Sequence, residues 1–280
     1  MEKYEILEQI SDLTYKVARK SNNAFFALKT ISYIGLSKAE KKRIVDTINT
    51  LIQLHCVNTV RYHNCIVDSD KGTLNLITDF YEGGNLEQLI RKHVESQQPF
   101  DEEQIWSIAA DIALALYECH NNKHQKIIHG ALTPDHILFD SEGNARIGCF
   151  SLDRCMSGDT EHDLTDLGKL IFEMATLSKA EPGHHSFQSK LKSTSEGISE
   201  VVPLLLGLSP SKFTLLNFLE FPEVALKVLE KKVKLETAFY EQEKAKYLAL
   251  EASFKQKDKI VASQDANISF NENEPANKLF

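Results

Sequence analysis

The chain has 280 residues, 42% of them apolar, which is enough for one large domain or two small ones with a sizeable core. Its net charge of −8 argues against nucleic acid as a partner, because duplex binding needs clustered lysine and arginine side chains facing the phosphates. The five cysteines have no CxxC spacing, which argues against a zinc ribbon and a disulfide framework. The sequence shows neither a signal core nor an apolar run long enough to span a membrane, so we expect a cytoplasmic location and no membrane partner.

The first part of the chain predicts a strand-rich unit. Five short segments rich in β-branched and aromatic residues are separated by polar turns and predict antiparallel strands: residues 4–10, 14–18, 24–31, 62–67 and 73–79. Apolar residues at helical spacing follow Ser37 and predict a helix that ends near residue 55. Asn85 and Asp101 each predict the N-cap of a further helix, the second of which runs to about residue 122.

The second part of the chain is predicted to be helical, which makes the fold class α+β. Three more apolar helices are predicted at residues 163–177, 197–207 and 211–221. Residues 223–257 contain neither proline nor glycine and are dense in alanine, glutamate, lysine and leucine, which predicts an amphipathic helix. The last segment, residues 258–280, is rich in asparagine, serine and aspartate and is predicted to be a disordered tail.

Ordered motifs over residues 4–222 resemble a protein kinase domain. The Ala27-Leu28-Lys29 run is similar to the third-strand motif that carries the phosphate-pairing lysine. HGALTPDHILFD, residues 129–140, resembles the catalytic loop, and ARIGCFSLDR, residues 145–154, resembles the metal-binding loop. The EGGNL run after the fifth strand is typical of the NIMA-related (NEK) kinases, the family that the chain resembles most.

The resemblance implies a two-lobed kinase fold for residues 1–222, with the N-lobe at about 1–80 and the C-lobe at 81–222. It also implies a coiled-coil helix after the kinase domain. The activation segment is truncated, because only eight residues separate Arg154 from Asp163 and no Ala-Pro-Glu run follows. A peptide substrate would therefore have no platform.

The resemblance further implies that the groups required for phosphoryl transfer are replaced. Kinases need a glycine-rich phosphate loop, metal ions held by oxygen ligands, and an aspartate that orients the attacking hydroxyl. Residues 10–17 contain no glycine, and Thr47 stands where a glutamate would pair with the lysine. Four further positions are degenerate: Ala131 replaces the base, Thr133 a lysine, His136 the metal-binding asparagine and Cys149 the metal-binding aspartate. Because magnesium prefers oxygen ligands, we expect no metal site and no cofactor that depends on one.

Other features of the kinase pattern are kept. Four residues imply a residual nucleotide pocket: Lys29, Val17, Ala27 and Leu138. Five residues imply a buried spine through both lobes: Leu51, Tyr62, His129, Phe150 and Asp163. Core packing, and for the lysine a solvated polar cleft, are the alternative interpretations. Weak, metal-independent ATP binding therefore stays open.

Two further patterns have more than one interpretation. His120 and His124 are spaced i, i+4, and with His129, His136 and Cys149 they could form a site for a soft metal ion. The alternative is that His120 is a histidine of the kinase core and that His124 lies in a solvated loop. The helix at 223–257 has apolar residues on a 3-4 seam that two glutamates interrupt. The seam residues are Leu226, Leu229, Val233, Glu236, Tyr240, Glu243, Tyr247, Leu250 and Phe254. Either two chains pair through this seam, or the helix folds back on its own body.

These observations favour a catalytically inactive NIMA-related pseudokinase that acts as a protein-interaction scaffold or allosteric partner, with homodimerisation through residues 223–257. The alternative is an ATP-binding serine/threonine kinase with weak or atypical activity. Its partners are expected to be proteins, and association with the cytoskeleton is left open.

Overall fold

The first part of the protein is an antiparallel sheet of five strands in the order β1-β2-β3-β5-β4. The computed structural model describes residues 3–152, 154–155, 158–183 and 185–271, with side chains described as far as residue 253. The strands are β1 (Tyr4–Ser11), β2 (Thr14–Arg19), β3 (Phe25–Ser32), β4 (Tyr62–Asp68) and β5 (Thr73–Asp79). All five strands predicted from the sequence are confirmed.

One helix, α1 (Lys38–Gln53), lies between β3 and β4 and packs against β4. The Ser37 hydroxyl accepts a hydrogen bond from the Glu40 amide at 3.3 Å, and the Glu40 carboxylate accepts one from the Ser37 amide at 2.8 Å. This reciprocal cap satisfies two amides that a helix start leaves unpaired, which explains why the sequence located the start correctly. The buried face of α1 carries Thr47, Ile48 and Leu51.

The second part of the fold is mainly helical, as predicted. Its elements are α2 (Leu86–Ser96), α3 (Glu102–His120), the hairpin β6 (Ile137–Phe139) and β7 (Ala145–Ile147), α4 (Thr160–Thr176), α5 (His185–Leu191), α6 (Glu196–Leu205) and α7 (Leu215–Leu219). The predicted caps of α2 and α3 are confirmed, since Asn85 and Asp101 accept hydrogen bonds from amides of the first turn. Helix α5 was not predicted, and α7 is shorter than the predicted segment 211–221. A two-lobed kinase fold results.

Helix α3 forms the centre of the helical part. Most of its side chains are buried, because α4, α7 and β7 pack against it. Small side chains such as Ala109 and Ala113, both 0% exposed, let these neighbours approach closely. The β6–β7 hairpin is thereby fixed on the helical core, and the two loops that resemble the kinase site lie at its ends.

The last helix, α8 (Pro222–Asn271), has 50 residues and extends past its predicted end at residue 257. Residues 258–271 of the predicted tail are therefore helical, and residues 272–280 lie outside the described residues. The chain divides into two compact units, Met1–Val228 and Leu229–Phe280. Within the first unit, Val224 is fully buried. No helix in the described part of the chain is both long and apolar enough to cross a membrane.

Candidate active site

The turn between β1 and β2 occupies the place of a kinase phosphate loop. Ser11 pairs with Thr14, so Asp12 and Leu13 alone form the turn. The amide of Thr30 donates to the carbonyl of Leu13 at 2.8 Å, which ties the turn to β3. A two-residue turn without glycine is too short and too constrained to wrap its amides around a phosphate.

Lys29 lies on β3 and faces the loop that resembles the catalytic loop, where its positive charge helps to lower the pKa of Asp135. Helix α1 places Thr47 where the resemblance expects a glutamate partner for the lysine. The buried Thr47 hydroxyl instead donates to the carbonyl of Leu152 at 3.5 Å. Within the described residues, Lys29 forms no ion pair. This neutral hydrogen bond links α1 to the loop that resembles the metal-binding loop.

The strand register corrects one predicted pocket residue. Val17 lies directly opposite Phe26, so its side chain projects from the sheet face opposite to that of Ala27 and Lys29. On that other face, Val17 belongs to a small separate core with Phe26, Leu28 and Ile77. The prediction that Val17 lines the same pocket as Ala27 was wrong, because a register difference of one residue turns a side chain to the other face.

Lys16, which the sequence analysis did not consider, lies opposite Ala27 in place of Val17. Its ammonium group sits 4.6 Å from the ring centre of Phe25 and 4.5 Å from that of Phe80, and 3.9 Å from a carboxylate oxygen of Glu82. The pairing of Thr14 with Lys29 fixes this register, and no local sequence signal identifies it. The predicted apolar wall beside Ala27 is therefore partly cationic, while Leu138 on β6 is half-buried as a pocket residue would be.

The loop that resembles the catalytic loop uses its polar groups internally. The His136 Nδ1 atom lies 2.7 Å from the carbonyl oxygen of Ala131, to which it donates. The Thr133 hydroxyl donates to a carboxylate oxygen of Asp135 at 2.7 Å and lies 3.0 Å from the same His136 nitrogen. The three degenerate positions in this loop therefore supply no carboxylate or amide oxygen for a metal.

Asp135 is the one carboxylate in residues 129–136. Burial by itself raises its pKa, but the hydrogen bond from Thr133 and the charges of His136 and Lys29 outweigh burial, so the pKa of Asp135 lies below its ordinary value. A carboxylate with a lowered pKa is a weak base. Asp135 is therefore poorly suited to replace the missing general base.

The predicted spine is assembled in the structure. All five of its members are buried: Leu51, Tyr62, His129, Phe150 and Asp163. The ring centre of Phe150 lies 6.4 Å from that of Tyr62 and 4.6 Å from that of His129. The fully buried His129 donates from Nε2 to the carbonyl of Gly148 at 2.8 Å. The packing that holds two kinase lobes together is therefore present.

Asp163 on α4 anchors the loop at residues 129–140 that resembles the catalytic loop, which we call the catalytic-type loop. Its carboxylate accepts hydrogen bonds from the amides of His129 at 2.9 Å and Gly130 at 2.8 Å, and it lies 2.8 Å from His120 Nε2. Burial raises the pKa of this carboxyl, but the three hydrogen bonds outweigh burial, and the pKa lies below its ordinary value. Asp163 is therefore a charged, fully satisfied buried group.

Two residues of the site have left-handed backbone conformations. Gly130 has a φ of +71°, and a Cβ atom there would lie 2.9 Å from the Arg154 side chain. Cys149 has a φ of 57° although it has a Cβ atom, which costs about 1–2 kcal/mol. The loop is thus built around a glycine at the position where the kinase resemblance expects arginine.

The shortened segment after Cys149 is bonded to the loop before it. The Ser151 amide donates to the carbonyl of His129 at 2.9 Å, and the Ile128 amide donates to the carbonyl of Cys155 at 2.8 Å. Helix α4 then begins at Thr160, capped by Asp159. In its described residues, the segment is therefore hydrogen-bonded to residues 128–129 and forms no extended platform for a peptide substrate.

The histidines raised as metal ligands have other partners. His120 contacts Asp163, His129 bonds to Gly148, and His136 bonds to Ala131, while His124 is exposed. Among the residues that the structure describes, no group of three or more His, Cys, Asp or Glu side chains has a metal-binding arrangement.

We expect His129 to make the stability of the protein depend on pH. Burial lowers the pKa of His129 to about 4 from 6.5. Between these values the unfolded chain binds a proton that the folded chain does not, so stability falls as pH drops from 6.5 to 4, by about 3 kcal/mol from this residue.

We expect His129→Phe to flatten the pH dependence of the free energy of unfolding in this window, measured by denaturant titration. The exposed His124→Gln variant is the control and should keep the wild-type slope. An unchanged slope in His129→Phe would show that His129 titrates normally in the folded state.

A comparison with known proteins agrees with this geometry. The model of the protein kinase domain matches residues 11–172. The chain is 29% identical over 277 residues to "Probable serine/threonine-protein kinase nek2" of Dictyostelium discoideum, covering 84% of this chain and 66% of that protein. It is 32% identical over 173 residues to serine/threonine-protein kinase Nek2 of Homo sapiens, covering 60% of this chain and 39% of that protein. It is 25% identical over 202 residues to G2-specific protein kinase fin1 of Schizosaccharomyces pombe, covering 65% of this chain and 28% of that protein.

The chain belongs to the protein kinase family. Within that family it is one of the NIMA-related kinases, as the sequence resemblance predicted. It spans about two thirds of the first of these relatives and well under half of the second.

Proposed function

We propose that the protein is a catalytically inactive member of the NIMA-related kinases that acts as a cytoplasmic protein scaffold or allosteric partner. The observation that carries this proposal is the closure of the catalytic-type loop on itself. His136 and Thr133 form hydrogen bonds to other groups of the same loop, and Ala131 has no group that accepts a proton. The intact spine supports the second half of the proposal, because it keeps a rigid two-lobed body for other proteins to contact.

Helix α8 is the basis for a further part of the proposal, the pairing of two chains. In the unit that begins at Leu229, the apolar side chains described on α8 are exposed to water, with values of 59% for Val233 and 65% for Tyr240. A long helix with an exposed apolar seam is stabilised by pairing with another helix. We therefore include homodimerisation through α8 in the proposal.

The alternative function is nucleotide binding with weak or atypical phosphotransfer. It is favoured by Lys29, which still faces the loop without an ion-pair partner among the described residues, and by the half-buried Ala27 and Leu138. Each of these side chains suits contact with a nucleotide better than contact with a metal ion.

The two functions differ in their response to magnesium and ATP. We expect no magnesium-dependent rise in melting temperature at millimolar ATP, because the residues that the structure describes contain neither a glycine-bearing phosphate loop nor a metal-binding group of carboxylates. Binding at 100 times Kd would add about 2.7 kcal/mol, so a real site would be visible. ATP without magnesium and a Lys29→Met variant are the controls. A rise that requires both magnesium and Lys29 would favour the alternative.

A further inference from the structure

The exposed seam of α8 contains two charges, and their positions restrict how two copies can pair. Glu236 and Glu243 lie on the same stripe of the helix as Val233, Tyr240 and Tyr247, because successive members are three or four residues apart. Both carboxylates are exposed, with side-chain exposures of 69% and 50%. Each has a lysine of its own chain nearby, Lys232 and Lys246, which flank the seam in any pairing.

A parallel, in-register pair would place each glutamate against its own counterpart. Glu236 would face Glu236 of the partner subunit, and Glu243 would face Glu243 of the partner subunit. Two like charges would then meet twice inside an apolar seam, where desolvation makes each of them costly. The tyrosines would face one another in the same way, so neither phenol hydroxyl would meet a carboxylate across the seam.

We infer that two copies of α8 pair antiparallel, with the two-fold axis between residues 241 and 242. This inference rests on the proposed dimer. In this register Val233 faces Leu250 of the partner subunit, Glu236 faces Tyr247 of the partner subunit, and Tyr240 faces Glu243 of the partner subunit. Every glutamate of the central seam then meets a phenol hydroxyl that donates to it, which is a strong, charge-assisted hydrogen bond. The apolar residues meet apolar residues.

The flanks of the seam favour the parallel pair, but weakly. In the antiparallel register Glu230 approaches Glu251 of the partner subunit. In a parallel pair, Lys246 would instead approach Glu251 of the partner subunit. Both Glu230 and Glu251 already have an interaction within their own chain. Exposed ion pairs contribute little, while buried like charges cost much more, so the seam decides the orientation.

Single and paired cysteines test the register in the full-length chain. We compare Val233→Cys, Leu250→Cys and the double variant, treated with a short thiol-specific crosslinker, and measure the fraction of covalent dimer. Wild type, whose Cys56, Cys65 and Cys149 are partly exposed, gives the background under the same conditions. We expect the double variant to crosslink at least tenfold above background, and each single variant to stay near background.

The outcomes separate the register from the dimer itself. Crosslinking of Val233→Cys alone would show a parallel pair and overturn the antiparallel register while the dimer stands. Dimers that none of the variants crosslink would overturn it as well, because the seam would then have another register. A wild type that is monomeric by light scattering at tens of micromolar would refute the proposed dimer and, with it, the register.

Discussion

Replacement of Asp163 by alanine will lower the free energy of unfolding by about 3–5 kcal/mol, the largest effect that we expect from one substitution in the body. The side chain is fully buried and accepts hydrogen bonds from the amides of His129 and Gly130. Alanine leaves both amides and His120 without their acceptor, and each unsatisfied buried group costs about 1–3 kcal/mol. Denaturant unfolding at neutral pH measures the change.

Two further variants separate this explanation from a general effect on α4. Asp163→Asn keeps one acceptor oxygen and should recover roughly half of the loss. Glu161→Ala removes an exposed carboxylate from the same helix and should change stability by less than about 0.5 kcal/mol. Because the pKa of Asp163 is lowered, its contribution is complete above the ordinary pKa of 3.8 and is lost as pH falls through the folded value. Equal losses in Asp163→Ala and Glu161→Ala would contradict the anchoring role.

The double variant Leu229→Asp, Val233→Asp will be monomeric at concentrations where the wild type is a dimer. Each substitution puts an unpaired charge into the seam, which costs at least about 2 kcal/mol, so Kd should rise by roughly a thousandfold or more. Both side chains are 59% exposed in the single chain, so the body should keep its melting temperature. Light scattering measures the mass.

The matched control for the tail is the double variant Ala238→Asp, Ala245→Asp. It adds the same two charges to α8, but on the side away from the seam. We expect it to remain dimeric. If both double variants are monomeric, charge on the helix rather than burial in the seam would be the cause, and the proposed interface would be wrong.

The strands and capped helices could be predicted because their signals are local. The β-branched and apolar run of β5 and the capping box of Ser37 and Glu40 lie within a few neighbouring residues. The register of β2 against β3 could not be predicted with the same accuracy, since it depends on the turn at residues 12–13 and on pairing across the sheet. An error of one residue in the predicted register placed Val17 on the face that Lys16 occupies.

The identity of the replaced site residues was readable from the sequence, but their arrangement was not. Ala131, Thr133, His136 and Cys149 are visible as replacements in a motif. That the imidazole of His136 reaches back to the carbonyl of Ala131 depends on the shape of the loop and of the turn at Pro134–His136. The left-handed backbone of Cys149 likewise has no local sequence signal, because glycine and asparagine are the usual residues there.

The most direct test of the account is phosphate transfer by the purified full-length chain, measured with labelled ATP and magnesium on the protein itself and on a generic protein substrate. The Lys29→Met variant, made and purified in parallel, sets the background, and Ala131→Asp tests whether a base alone restores activity. We expect wild type, Lys29→Met and Ala131→Asp to give the same incorporation, because His136 and Cys149 occupy the two metal-binding positions of the motif in all three. Incorporation by the wild type that exceeds the Lys29→Met background would contradict the proposal of an inactive kinase.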